Sequence, residues 1–255
     1  MQMYNLVHVP KTAGGSLKGC FIREKGKKGC GIEWVGINEN CYDLYRSEPY
    51  ERCILTHHLN YGMHHITDLL PNYLTCLRDP KERLISEFFY HHSHQIPGIY
   101  IPADKIKDEF ENFIINAEHL NIYCYNFSDY HFITGSLPFE KDKADDKRYL
   151  FNRIWQRATT WNYMSDSLPL KKSDAEELYN KAIMNITNEF SLVGNFHKLD
   201  KFIMGMEDLM AVKLKKPLFI NKTHNKINLK DLSKNIVHIM DEKMHYDYML
   251  FSKFS

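Results

Sequence analysis

No glycine in this chain is followed by a Lys-Ser or Lys-Thr pair. In the ordinary P-loop the lysine follows the last glycine and the next hydroxyl holds magnesium, so the usual anchor of ATP chemistry is missing. The six cysteines, Cys20, Cys30, Cys41, Cys53, Cys76 and Cys124, include no Cys-x-x-Cys pair. That spacing supports neither a zinc site nor a small disulfide scaffold, and buried free thiols are expected instead. No apolar run reaches membrane length and no secretory signal precedes the first apolar stretch. Charge of one sign is scarce as well: a net charge of +1 excludes a nucleic-acid binder that relies on a broad basic surface. The chain shows no internal repeat and no low-complexity segment.

What is present is ordinary globular material. With 255 residues, 44% hydrophobic and 25% charged, the chain can bury a substantial core as one domain. Lys25-Gly26-Lys27-Lys28 and Lys213-Leu214-Lys215-Lys216 read as solvated surface. His64-His65 and His91-His92-Ser93-His94 lack a recognised spacing with cysteine or carboxylate, so no metal is expected.

The most informative stretch is Val7-His8-Val9-Pro10-Lys11-Thr12-Ala13-Gly14-Gly15-Ser16-Leu17. An apolar run over 4–9 reads as a buried strand, and 16–25 carries Leu17, Phe21 and Ile22 at helical spacing. Strand, glycine turn and helix together aim backbone N–H groups and a helix N-terminus at one anion. Gly14 and Gly15 are expected to supply the tight turn. Lys11, Thr12 and Ser16 add a cation and two hydroxyls.

Further strands are expected at 32–37, 53–56, 73–77 and 190–193, and a loop over 38–52. Helices are expected from Pro80 for about three turns and over 108–120, 146–163, 173–186, 199–212 and most of 229–251. Asp79 suits the N-cap before Pro80, with Glu82 at capping-box spacing, and Ser173 and Glu176 repeat that spacing. A charged segment over 139–145 and a loop over 217–225 complete the reading. Strands alternating with helices argue for a parallel sheet covered on both faces, with ligands at its carboxyl edge.

Arg78 stands where the 73–77 strand gives way to a helix, at the same edge as the Lys11 loop. An arginine fork there, with Ser86 two turns further on, makes a clamp for a second phosphate. The plainer reading has Arg78 bracing Asp79 or a carbonyl.

His8-Val9-Pro10-Lys11-Thr12-Ala13-Gly14-Gly15-Ser16-Leu17 and Leu77-Arg78-Asp79-Pro80-Lys81-Glu82-Arg83-Leu84-Ile85-Ser86, in that order, resemble the PAPS-dependent carbohydrate sulfotransferases. The likeness is to the group that includes the heparan and dermatan 2-O-sulfotransferases. It covers about the first ninety residues, is patchy in the middle and is weak after Val212, although 190–209 is similar to a C-terminal strand–helix unit of that family. It implies an α/β fold, a P-loop-like three-layer sandwich with a central parallel sheet. The chain would form a single domain over 1–255, with a mainly helical acceptor-side insertion at about 96–170.

The resemblance further implies 3′-phosphoadenosine 5′-phosphosulfate (PAPS) as donor, PAP as product and no metal. Lys11, Thr12, Ala13, Gly14, Gly15, Ser16 and Leu17 would hold the 5′-phosphosulfate, and Arg78 and Ser86 the 3′-phosphate. His58-Leu59-Asn60-Tyr61 is similar to the His-x-x-Tyr segment that carries the family's base. His58 is thus the expected base, with His57 as the alternative, since imidazole titrates near neutrality. The loop at 221–226 falls where relatives close a polar loop over the nucleotide. The acceptor would be a carbohydrate. The expected compartment is the cytoplasm, or the Golgi lumen if an anchor precedes this chain. Two other readings compete: a nucleotide-dependent kinase, and an inactive glycan- or nucleotide-binding module.

Overall fold

The computed structural model describes residues 2–21, 32–36, 52–57, 61–62, 64, 72–93, 100–118, 120–128, 174–214, 216–217 and 227–255. Five parallel strands form one sheet: β1 Gln2–Val7, β2 Ile32–Gly36, β3 Arg52–His57, β4 Asn72–Leu77 and β5 Phe190–Asn195. Their order is β2-β3-β1-β4-β5. Parallel strands need crossovers rather than tight hairpins, so each strand end at the carboxyl edge leads away into a longer connection. β1 lies between β3 and β4, in register Val7 to His57 on one side and Leu6 to Leu74 on the other.

Alternation along β1 and β4 sends side chains to opposite faces. Tyr4, Leu6, Leu74 and Cys76 join Leu17 and Cys20 of α1 (Gly14–Phe21) on one face. There they also meet Leu199, Phe202, Ile203 and Met206 of the helix at Leu199–Met210. On the other face Val7, Tyr73 and Leu77 pack against Ile122–Phe127, Ala175–Glu189 and His245–Phe254. Among the described residues the α-helices after α1 are, in chain order, α2 Pro80–Ser93, α3 Ile106–Asn116, α4 Ile122–Phe127, α5 Ala175–Glu189, α6 Leu199–Met210, α7 Lys234–Lys243 and α8 His245–Phe254. A third cluster joins α2 through Leu84, Ile85, Phe88 and Phe89 to Phe110 and Ile114 of α3 and Ile236 and Met240 of α7. The result is a mixed α/β protein with helices on both sheet faces. Among the described residues no helix is long and apolar enough to cross a membrane.

Several local expectations need correction. Ala175, not Ser173, opens α5: Asp174 is its N-cap and makes no side-chain cap bond, while Ser173 lies outside the described residues. Asp79 Oδ1 does accept from the Glu82 N–H at 3.0 Å, but the Glu82 carboxylate turns to Arg78 rather than completing a capping box. Most of 229–251 is helical, as expected, with a break at Met244 between α7 and α8. Within the 96–170 region, α4 has every residue buried and is built into the sandwich core. The expectations for 139–145 and 146–163 fall outside the described residues, as do residues 38–51 of the expected loop. Cys20, Cys76 and Cys124 are buried free thiols, and burial pushes each pKa up.

Two helices cap each other. The Asp247 carboxylate accepts from the Tyr123 and Cys124 N–H groups at 2.9 Å, satisfying the start of α4. In return the Asp247 N–H donates to the Asn121 side-chain oxygen at 3.0 Å. Asp247 is fully buried, and desolvation raises its pKa from 3.8 to about 6 against the lowering pull of those amides. A raised carboxyl binds its proton more tightly when folded, so its contribution is fully present below pH 3.8 and is lost as pH rises through about 6. Asp247→Asn should therefore flatten this part of the profile. Between pH 4 and pH 7, wild type should lose about 2 kcal/mol more unfolding free energy than the variant, read from urea titrations at each pH.

Candidate functional site

The strand order sets four strand ends side by side at one sheet edge: His57 of β3, Val7 of β1, Leu77 of β4 and Asn195 of β5. The switch in direction about β1 opens the crevice where α/β sheets take ligands.

The loop after β1 turns in an unexpected way. Lys11 has φ 70° and Ala13 φ 80°, so the left-handed residues are these two and not the glycines. An L-residue pays of order 1–2 kcal/mol to sit there, which points to a backbone held for a purpose. The hold is visible. Thr12, almost fully buried, donates its hydroxyl to the Val9 carbonyl at 2.7 Å. The Gly14 N–H donates to His8 Nε2 at 3.1 Å. A Cβ on Gly14 would stand 1.9 Å from the His8 ring, so this glycine serves close approach of an imidazole rather than a turn. Gly15 is exposed, and Ser16 is buried beside it. In the first turn of α1 the amides of Gly15 and Ser16 have no place in the helix ladder, whose first bond runs from Leu17 N–H to the Ala13 carbonyl.

Arg78, nearly buried, follows β4 and meets this loop directly. Its Nη1 donates to the Lys11 carbonyl at 3.4 Å. Its guanidinium carbon lies 4.4 Å from the centre of the Phe196 ring, just beyond β5. Nε and Nη2 both point to Glu82 Oε2 at 3.3 Å. The backbone of Arg78 is pinned by Tyr123, whose hydroxyl accepts from the Arg78 N–H at 2.9 Å and donates to its carbonyl at 2.6 Å. Beneath, the Arg83–Glu87 ion pair is buried, and the Arg83 guanidinium carbon lies 5.8 Å from the Tyr123 ring centre.

The Lys11 amine rests 3.7 Å from the centre of the Tyr90 ring. Tyr90 lies four residues after Ser86 and eight after Glu82, so these three share one stripe of α2 facing the loop. Ser86 is buried on that stripe. The edge thus collects a cation, an arginine fork and a helix N-terminus, which is chemistry suited to an anion with more than one charged group.

Not every expected residue can be placed. His58 lies outside the described residues, as does the loop at 221–226. His57 ends β3 opposite Val7. His8, Tyr90, Tyr123 and His197 escaped the sequence reading as site residues. Helical spacing from Ser86 would have found Tyr90, whereas Tyr123 stands 45 residues from the arginine it holds and leaves no local signal. No family model matches the chain, and no curated protein matches it.

Gly14→Ala should expel the His8 ring and break its hydrogen bond, at about 1–2 kcal/mol. His8→Ala removes the same contact. The double variant should therefore cost less than the sum of the two, by at least about 0.5 kcal/mol in a denaturant double-mutant cycle.

Proposed function

We propose that this protein transfers the sulfuryl group of PAPS to a hydroxyl of a carbohydrate acceptor and releases PAP. One observation carries the reading: Arg78 Nη1 hydrogen-bonds the Lys11 carbonyl across 67 positions of chain. The two anion-binding segments therefore adjoin, as a donor with a 5′-phosphosulfate and a 3′-phosphate requires. The P-loop-like character of the sandwich belongs to the same proposal. Its support is a loop that leaves the central strand and enters a helix N-terminus.

Each residue then has a task. The amides of Gly15 and Ser16, with Thr12, Ala13, Gly14 and Leu17 shaping the backbone, receive the 5′-phosphate. The Lys11 ammonium leaves the Tyr90 ring and neutralises charge on the departing phosphate as its S–O bond breaks. The acceptor oxygen forms the new S–O bond, and its proton passes to the imidazole of His58. Arg78 and Ser86 hold the 3′-phosphate. A sulfuryl group carries less negative charge than a phosphoryl group, so a lysine and oriented amides suffice to balance it.

Incubation with labelled PAPS and a mixed glycan panel tests the reading. Label should move to a saccharide hydroxyl. Lys11→Ala and His58→Ala should each lower kcat by about 10²–10⁴-fold. Arg78→Ala should mainly raise the PAPS Kd, by about 10–100-fold. Label transfer from ATP with magnesium, and none from PAPS, would replace this reading with phosphoryl transfer.

A further inference from the structure

Two guanidinium N–H donors and one imidazole nitrogen gather around one carboxylate oxygen at this edge. Arg78 Nε and Nη2 each lie 3.3 Å from Glu82 Oε2, and His197 Nε2 lies 3.3 Å from the same atom. That edge of a guanidinium is the one that takes an oxyanion, and here an internal carboxylate occupies it. We propose that Glu82 Oε2 stands in for an oxygen of the bound anion, and that His197 is a third ligand of that anion once Glu82 is displaced. The proposal rests on the donor reading above and adds two residues to its 3′-phosphate end.

The surroundings say which partner moves. The Arg78 side chain is 9% exposed, with Nη1 on the Lys11 carbonyl and its plane over Phe196. It is fixed. The Glu82 side chain is 41% exposed and hangs from the first turn of α2 at the rim, so it can swing into water without disturbing the helix. His197 is half exposed, and its backbone N–H is tied at 2.8 Å to the Asn195 side-chain oxygen, which anchors the residue beside the strand end. An incoming phosphate would find its donors already aimed. It would also meet a carboxylate of its own sign, which must leave first. Glu82 therefore lowers affinity for the anion while keeping the fork in shape in its absence, much as a plug keeps a socket clean.

Isothermal titration of the full chain with PAP, and with adenosine 5′-monophosphate as the analogue lacking a 3′-phosphate, tests this. Glu82→Gln keeps the shape and removes the charge. It should tighten PAP by about tenfold and leave the monophosphate unchanged, since the repulsion acts only at the 3′ end. In the Glu82→Gln background, His197→Ala should weaken PAP by about fivefold and again spare the monophosphate. Glu82→Ala, checked for fold by circular dichroism, serves as the second variant. PAP affinity no greater than wild type in both Glu82 variants would overturn the role of Glu82. No loss on adding His197→Ala would overturn that of His197. Failure of wild type and every variant to bind PAP would sink the donor reading itself, and this inference with it.

Discussion

The hydroxyl of Tyr123 touches both backbone polar groups of Arg78, and much of the architecture is arranged so that it can. Tyr123 belongs to a helix of six residues, too short to stand alone. Its start is satisfied by Asp247 from α8, and its flanks are packed by α5 and α8. Arg78 in turn reaches the Lys11 carbonyl. A chain of contacts therefore runs from α8 through α4 to the loop after β1. A buried phenol needs partners for its hydroxyl, and a strand end with a free N–H and C=O supplies them. Burial pushes the phenol well above the ordinary tyrosine range, so it stays a neutral donor and acceptor at every physiological pH.

The loop after β1 stores conformational strain instead of glycine freedom. Lys11 and Ala13 occupy the left-handed region, while His8 and Thr12 lock the turn from either side. Such a backbone is organised before any ligand arrives, and little ordering entropy remains to be lost on binding. The Lys11 ammonium shares this economy. Resting over Tyr90, it keeps its charge solvated by an aromatic face within reach of the loop.

The parts legible in the sequence were those whose causes are local. The strand–turn–helix at residues 2–21 and the Asp79–Pro80 helix start depend on neighbours within a few positions. The parts misread were those decided at a distance. Glycines at 14 and 15 suggested the turn, but the positive φ values fell on residues 11 and 13, while Gly14 makes room for the His8 ring. Glu82 had capping-box spacing, yet a buried arginine four residues back drew its carboxylate more strongly than a backbone amide could. Helix α4 gave no amphipathic period because all six residues are buried, and its cap comes from residue 247. Nothing in the sequence near residue 197 marks it as a neighbour of Glu82; only the pairing of β5 beside β4 brings them together.

The mutual caps of Asn121 and Asp247 also order events in time. While the chain is being synthesised, β1 and β4 can emerge and pair early, but the amides at the start of α4 must wait for residue 247. Until then Tyr123 lacks the helix that aims it, and Arg78 lacks its brace. A nascent chain arrested before α8 would carry the Lys11 and Arg78 segments without the Tyr123 brace that joins them. α8 must therefore leave the ribosome before Arg78 is held in place.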